Sequence, residues 1–457
     1  MTNYEKFRQH IVGAVKEFNK IPKNEKIRVI SHLDSDGINA CAIAINALSL
    51  ENRPYSISII EQLDEKIIEK LSKEDYNVYL FSDIGSGQLS MINKHLGNKK
   101  IIILDHHTPD GSEIKENTIY VNPHLHDIDG GMEIAGSGVV YLFAKELNQK
   151  NKKLAHLAVI GAIGDVQDKN GFEKLNSEIL NEAVEQGLIE VKKGINLYGS
   201  QTRPIHKALE YSELLDMNES EAIQFLNSIG INSRTEKDWK KMPDLTGEEI
   251  KTLAAGIIMK RKGQEDSEDI FTDQYLITGE EDGTQFRDAK EFSTLLNSCG
   301  RLNKASIGIG ACLGDKKARK KALSSSKDYK RQLAGALNWF RENPDIIKGD
   351  NYIIINAKDN ILHTIAGTLA SIISKSGDYP DNMFIMCLAR NRNQDNFSKV
   401  SIRMTGKPEI DISEVAREIV AISGGEAGGH KSAAGAIIEA ENDEKFIEAA
   451  KEVFSKY

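Results

Sequence analysis

The chain alternates short uninterrupted apolar runs with longer segments whose apolar residues recur every three or four positions. In the first half, IRVI (27–30), NVYLF (77–81) and KKIIIL (99–104) have the length and β-branched content of strands buried on both faces. Residues 37–48, 65–71 and 137–147 carry helical periodicity instead. This alternation predicts an α/β fold with a mostly parallel sheet. From about 206 to 290 the pattern changes: SEAIQFLNSIG and TGEEIKTLAAGIIMKRKG read as helices with polar connections and no alternating strands, the mark of an inserted, mainly helical module. A lysine-rich helical stretch, KKARKKALSSSKDYKRQLAGALNWFREN, leads into a second, smaller α/β unit. That unit has strands NYIIINA, NMFIMCLAR and KVSIRMTG and helices over 364–374 and 413–422. The expected organisation is a first domain over 1–205, the insertion over 206–290, a return to the first domain with its connecting helix over 291–345, and the second domain over 346–457.

A length of 457 residues exceeds one ordinary core and agrees with several bodies. No run approaches the roughly 20 apolar residues that span a bilayer. The start MTNYEKFRQH lacks the apolar core of a signal peptide, so a cytoplasmic protein with no membrane partner is expected. Cys41, Cys299, Cys312 and Cys387 are scattered without a CxxC pair, which argues against a zinc knuckle or a disulfide framework. A net charge of −9 argues against a protein that coats nucleic acid over its whole surface and leaves room for a local basic groove. The KKARKK run with Lys327, Lys330 and Arg331 offers such a groove, or simply a solvated helix face. Trp239 and Trp339 could stack bases, but an aromatic at helical spacing is more often core.

Candidate chemistry sits where the apolar runs end. SHLDSDG places His32, Asp34 and Asp36 at alternate positions, which share one face if extended geometry persists to the turn. An ordinary Asp-Gly turn or helix N-cap uses the same letters. The other runs decide between these readings: NVYLFSDIGSG ends in Asp83, KKIIILDHHTPDG in Asp105, His106 and His107, and HLAVIGAIGDVQD closes a helix-like run with Asp165. Open α/β sheets bind ligands outside the carboxyl ends of their strands, so these endings are expected to meet in one crevice. Carboxylates gathered there repel one another unless cations neutralise them. Carboxylate and imidazole without thiolate suit manganese or magnesium, with zinc an alternative through histidine. Two ions roughly 3.5 to 4 Å apart, bridged by one carboxylate, activate water and stabilise the leaving oxygen of a phosphoester.

At these residues the chain resembles a known family. HLDSDG, SDIGSG, LDHH and GAIGD resemble the four motifs of the DHH phosphoesterases, and GGHKSAAG resembles the C-terminal motif of their DHH-associated domain, in matching order across nearly the whole chain. YGSQTRPIHKALEYS and EFSTLLNSCGR are most similar to archaeal RecJ-like nucleases, including the GINS-associated nuclease. The resemblance implies a mostly parallel-sheet DHH domain with a helical insertion, a smaller α/β DHH-associated domain, and an active-site cleft between the two. It implies two divalent ions, manganese before magnesium or zinc, held by His32, Asp34 and Asp83 and by Asp36, Asp83, His106 and Asp165. It places His107 at the scissile phosphate and Asp105 behind His106, since metal-bound histidines usually donate their other nitrogen to an acceptor. Metal-activated water would be the nucleophile. The implied activity is exonucleolytic hydrolysis of single-stranded DNA or RNA in DNA replication or repair. Two alternatives stand beside it: a replication scaffold that binds GINS through the insertion at 206–290, and a phosphodiesterase for short oligonucleotides or cyclic dinucleotides.

Further residues suit an anionic substrate. Glycines 424, 425, 428 and 429 let backbone amides approach a phosphate, with His430 and Lys431 as added donors, although a glycine-rich hairpin uses the same residues. By resemblance, Gly428, Gly429 and His430 grip a phosphate or terminal nucleotide. Arg301 in NSCGR and Arg203 in TRP are candidate phosphate clamps, because a guanidinium fork suits bidentate contact. His124, His126 and His156 receive no role.

Overall fold

The computed structural model describes residues 1–212, 214–263, 269–343, 345–392, 396–406 and 410–457, apart from the side chain of His430. The chain divides into two compact units, Met1–Ser325 and Ser326–Tyr457.

In the first unit β1 (Ile27–His32), β2 (Tyr55–Ile60), β3 (Val78–Ser82), β4 (Lys100–Leu104) and β5 (Thr118–Val121) form one parallel sheet in the order β2-β1-β3-β4-β5. Alternation along each strand feeds two cores. Val29, Leu80, Ile102 and Val121 point to one face, covered by α1 (Asn3–Asn19) and α2 (Ser35–Leu50). Ile30, Tyr79, Phe81, Ile103 and Tyr120 point to the other, under α3 (Glu65–Ser72) and α4 (Leu89–His95). Burial on both faces is why the central strands read as unbroken apolar runs. The half-buried edge strand β2, YSISII, escaped the pattern because serines interrupt it. On the first face, α5 (Gly136–Leu147), α6 (Ala155–Gly164) and α7 (Lys174–Glu185) complete the layer. Winding reverses between β1 and β3, which makes the carboxyl ends of these two strands the topological switch point.

The insertion differs from its expected form. β6 (Ile189–Ile195) precedes it, and α8 (Ile205–Glu210), α9 (Glu219–Ser228) and α10 (Gly247–Lys260) share a core of Ile195, Leu209, Leu226, Leu253 and Ile257. The segment is not strand-free, because β7 (Phe271–Ile277) returns antiparallel to β6. FTDQYLI shows no alternation by itself; its partner lies before the module, beyond any local pattern. The chain then forms α11 (Ala289–Arg301), α12 (Ala305–Cys312) and α13 (Lys316–Glu342). On α13, Lys316, Lys317, Lys320 and Lys321 are exposed. Arg319 is not part of that solvated row: it pairs with Glu280 at 2.8 Å and lies over the Phe286 ring.

In the second unit β8 (Ile347–Lys348), β9 (Tyr352–Asn356), β10 (Phe384–Arg390), β11 (Phe397–Met404), β12 (Glu426–His430) and β13 (Ala433–Glu439) form a mixed sheet ordered β12-β13-β11-β10-β9-β8. α14 (His363–Ser374) joins β9 to β10, its parallel neighbour. α15 (Ile412–Ser423) and α16 (Asp443–Phe454) cover the sheet through Val415, Ile419, Phe446 and Val453. Among the described residues no helix is long and apolar enough to cross a membrane.

Candidate metal centre

The three residues of SHLDSDG converge by a route other than strand alternation. β1 ends at His32, Asp34 is the N-cap of α2 with its carboxylate accepting from the Gly37 amide at 3.0 Å, and Asp36 lies buried in the first helical turn. A Cβ on Gly37 would strike the His32 carbonyl, so this strand-to-helix turn requires glycine. The expected shared strand face is therefore replaced by a cap and a helical turn, which separate His32 and Asp34 from Asp36. Asp83 follows β3 with φ 57°, a left-handed conformation that a non-glycine residue adopts at a cost of about 1 to 3 kcal/mol. Asp105, His106 and His107 follow β4, and Asp165 caps the end of α6.

Two groups of donors meet at Asp83. On one side His32 Nδ1 lies 2.9 Å from Asp34 Oδ2 and 3.8 Å from Asp83 Oδ2. On the other His106 Nε2 lies 3.3 Å from Asp83 Oδ1, 3.3 Å from Asp165 Oδ2 and 3.9 Å from Asp36 Oδ2. Both Asp83 oxygens and His106 Nε2 are buried without a hydrogen-bond partner. Each such orphan costs about 1 to 3 kcal/mol, so their meeting at one point fits a site built to hold a cation. Oxygen and imidazole donors of this kind fit a divalent metal ion.

The surroundings aim these donors. Asp36 accepts from the Gly136 and Ser137 amides at 2.6 and 3.0 Å, the positive end of α5. A Cβ on Gly136 would collide with the Asp83 carboxylate, and one on Gly161 with Asp36 and Ser137. His106 Nδ1 donates to the Gly130 carbonyl at 2.6 Å, which turns Nε2 inward. Gln167 Nε2 donates to the same carbonyl at 2.9 Å, and Asn176 Nδ2 donates to Gln167 Oε1 at 2.6 Å. Asp105 accepts from the Ser86 amide at 2.9 Å and from His107 Nδ1 at 2.8 Å. This corrects the expected second layer: Asp105 orients His107, and a backbone carbonyl takes its place behind His106.

Electrostatics record the crowding. Burial, then Asp36 and Asp34, push the Asp83 carboxyl well above its ordinary range. Burial and Asp36 raise Asp165 to about 8. Burial opposes a charge on His106, but Asp165, Asp36 and Asp105 outweigh it and lift the imidazole to about 9. Burial likewise opposes His107, and Asp105 lifts it to about 9. Asp34 and Asp105 resist burial and fall well below the carboxylate range, held down by His32 and His107 respectively.

The helix α11 backs this centre, which the chain pattern did not reveal. Lys290 pairs with Asp168 at 2.9 Å, Ser293 packs on Gly164, Asn297 Oδ1 accepts from the Ser35 amide at 2.9 Å, and Gly300 abuts the Leu33 carbonyl. These four residues share one helical face, so α11 touches two segments that carry donors, the end of α6 and the turn from β1 into α2. Arg301 ends this helix, next to the loop between His32 and Asp34. Arg203 lies elsewhere on the first unit, its guanidinium over the rings of Tyr198 and Tyr211. Gly428 and Gly429 belong to β12, where they pair with Gly435 and Ala434 of β13 in a hairpin. Gly428 borders open space, Gly429 has φ +139°, and the side chain of His430 lies outside the described residues. Gly136 and Ser137 could have been found from the small-residue helix start AGSG; Gly130, Gln167 and Asn176 carry no local signal. His126 is occupied structurally, its Nε2 2.7 Å from His10 Nδ1.

A doubly wound α/β domain with a carboxylate–imidazole centre at its switch point defines the class. Family models match as the DHH family, N-terminal domain, over 26–162, the DHH-CID domain over 197–268 and the DHHA1 domain over 349–456. An uncharacterized protein of Methanocaldococcus jannaschii is 32% identical over 467 residues, covering 98% of this chain and 99% of that protein. The chain belongs to the DHH family. The putative SPbeta prophage-derived single-strand DNA-specific exonuclease YorK of Bacillus subtilis is 25% identical over 264 residues, covering 54% of this chain and 42% of that protein. Among solved structures, RecJ from Thermus thermophilus in complex with Mn2+ has a TM-score of 0.60 at 15% identity, covering 98% of this chain and 55% of that one. Exonuclease RecJ bound to manganese has a TM-score of 0.59 at 16% identity, covering 98% and 94%. CDC45 from Entamoeba histolytica has a TM-score of 0.64 at 11% identity, covering 100% and 99%. At such identities these likenesses show a common RecJ-like fold.

Proposed function

We propose that this protein is a divalent-metal-dependent phosphodiesterase that removes nucleotides from the end of single-stranded DNA or RNA, in replication or repair. The observation that carries the reading is the set of orphaned buried atoms on Asp83 and His106, with Asp83 common to both donor groups. His32, Asp34 and Asp83 would hold one ion and Asp36, Asp83, His106 and Asp165 a second, with manganese or magnesium the best chemical match. When bound, such cations polarise a phosphate oxygen and lower the pKa of a coordinated water.

The chain's own contribution is orientation and proton supply. Asp105 fixes His107 through Nδ1, leaving Nε2 of this partly exposed ring to face a phosphodiester. Asp105 favours the protonated form of His107, which makes this imidazole the candidate donor to a phosphate oxygen or to the leaving alkoxide. Arg301, at the end of α11, is the first candidate for the flanking phosphate, and the β12–β13 hairpin is a candidate grip on the strand terminus. Likeness to CDC45 in fold favours a second reading, a replication scaffold that engages GINS through the insertion, which has a core of its own. Hydrolysis is preferred because a pure scaffold gains nothing from orphaned buried donors.

Incubation with DNA and RNA strands labelled at either end, with and without Mn2+, tests the reading. Metal-dependent release of nucleotides from one end is expected. Degradation confined to dinucleotides would point to the small-substrate phosphodiesterase, and inertness toward every strand with full metal occupancy would leave the scaffold.

A further inference from the structure

We infer that Tyr198, Arg203 and Tyr211 form a nucleobase-stacking subsite on the loop clamped by α11, the helix that backs the metal centre, and that it receives an unpaired base of the strand undergoing hydrolysis. This rests on the function proposed above and gives it a physical basis for selecting single strands. The Arg203 guanidinium carbon lies 5.1 Å from the Tyr198 ring centroid and 4.9 Å from that of Tyr211, so one guanidinium lies over both rings, and Lys207 Nζ lies 5.9 Å from the Tyr211 centroid. Both rings remain available: Tyr198 is 42% and Tyr211 64% exposed.

The cluster is built into the fold. Gly199 has φ +83°, and a Cβ there would lie 3.1 Å from Arg203, so the turn is shaped around the guanidinium. The Arg203 amide donates to the Gly199 carbonyl at 2.8 Å, and Gly283 donates to Gln201 Oε1 at 3.0 Å. Glu291 clamps the same loop, accepting from the Gln201 amide at 2.8 Å and from the Thr202 hydroxyl. Glu291 stands in the first turn of α11, whose Lys290 pairs with Asp168 and whose Ser293 packs on Gly164, the residue before Asp165. One helical turn therefore ties the cluster to the segment that carries a metal-centre carboxylate. From Glu291 to Gly300, at the Leu33 end, α11 rises only about 14 Å, within the span of a few nucleotides.

A base offers a π-face to such rings whatever its identity, and the guanidinium adds a cation–π term. In a duplex both faces of a base are covered by its neighbours. The subsite thus accepts any sequence but only an unpaired base.

The test measures fluorescence anisotropy of labelled oligothymidylate and of an abasic deoxyribose-phosphate strand of equal length, with Ca2+ replacing Mn2+ to limit hydrolysis. The wild type is expected to bind the thymidylate strand roughly 5- to 100-fold more tightly, the worth of one stacked base. Tyr198→Leu and Tyr211→Leu should each narrow that gap without changing affinity for the abasic strand, and Tyr211→Phe should keep it. Thermal melting and Mn2+ titration check that each variant is folded. Equal losses on both strands, or no loss on either, would overturn the subsite. Hydrolysis of single strands with no base-dependent gap would overturn it alone, whereas a wild type that neither binds nor cleaves them would overturn the proposed function as well.

Discussion

Loading of the centre with a divalent cation should release protons, and its apparent affinity should climb steeply with pH. His106 keeps its Nδ1 proton on the Gly130 carbonyl, so only Nε2 can bind a cation, and only after losing its own proton. With a pKa of about 9, that nitrogen is bare in about one molecule in a hundred at pH 7. Asp165, itself raised to about 8, is the first charge that lifts His106, so the two protons are not independent and their factors do not multiply. The His106 proton alone weakens binding at pH 7 about a hundredfold, or about 2.7 kcal/mol, relative to the deprotonated centre. Cation and proton compete for the same atoms, so affinity rises with pH, by about tenfold or more per unit below pH 8, and levels off above about 9. In the cation-free protein the same raised values act on stability. The share due to Asp165 is fully present below the ordinary 3.8 and lost as pH rises through about 8; those due to His106 and His107 are present below 6.5 and lost through about 9. Calorimetric titration with Mn2+ or Mg2+ in buffers of differing ionisation enthalpy counts the released protons. A pH-independent affinity with no proton release would place the ion elsewhere and refute the argument.

Three further outcomes follow from the same geometry. Asp83→Asn keeps the shape but removes the charge common to both donor groups; hydrolysis and cation-induced stabilisation, about 2.7 kcal/mol at a hundred times Kd, should vanish, while the cation-free variant melts no lower than wild type because repulsion from Asp36, Asp34 and Asp165 is relieved. Normal turnover by this variant would sink the shared-ligand reading. Gln167→Leu removes one of two donors on the Gly130 carbonyl and should weaken Mn2+ binding about 10- to 100-fold in calorimetry; an unchanged Kd would show that the carbonyl is held without it. Ile195 and Phe271 pair across β6 and β7, so replacing residues 196–270 with an Asn-Gly turn should close the hairpin and retain Mn2+ binding; on the scaffold reading it should also abolish capture of GINS in a pull-down, and capture by the wild type that survives the replacement would move that interface off the insertion.

The sequence by itself determined which residues could carry chemistry. Buried parallel strands must be apolar throughout, so an ionisable residue at the end of such a run stands out; His32, Asp83 and Asp105 were marked in this way, and Asp165 by closing an apolar helical run. The same pattern located the strands of the first sheet except β2, whose serines break the run, and β5, which spans only Thr118–Val121. The resemblance implied how the marked residues divide, and tertiary structure decided by what route they do so. Helix initiation at Asp34, not strand alternation, sent Asp36 to the His106 side, and Asp105 turned to His107 because the Gly130 carbonyl already held His106. The backing face of α11, the Gln167–Asn176 support and the Tyr198–Arg203–Tyr211 cluster were likewise illegible in the chain. Local periodicity reports which face of an element is buried; which distant donor, acceptor or ring meets that face is fixed only when the elements pack, because those partners are set by contacts between residues far apart in sequence.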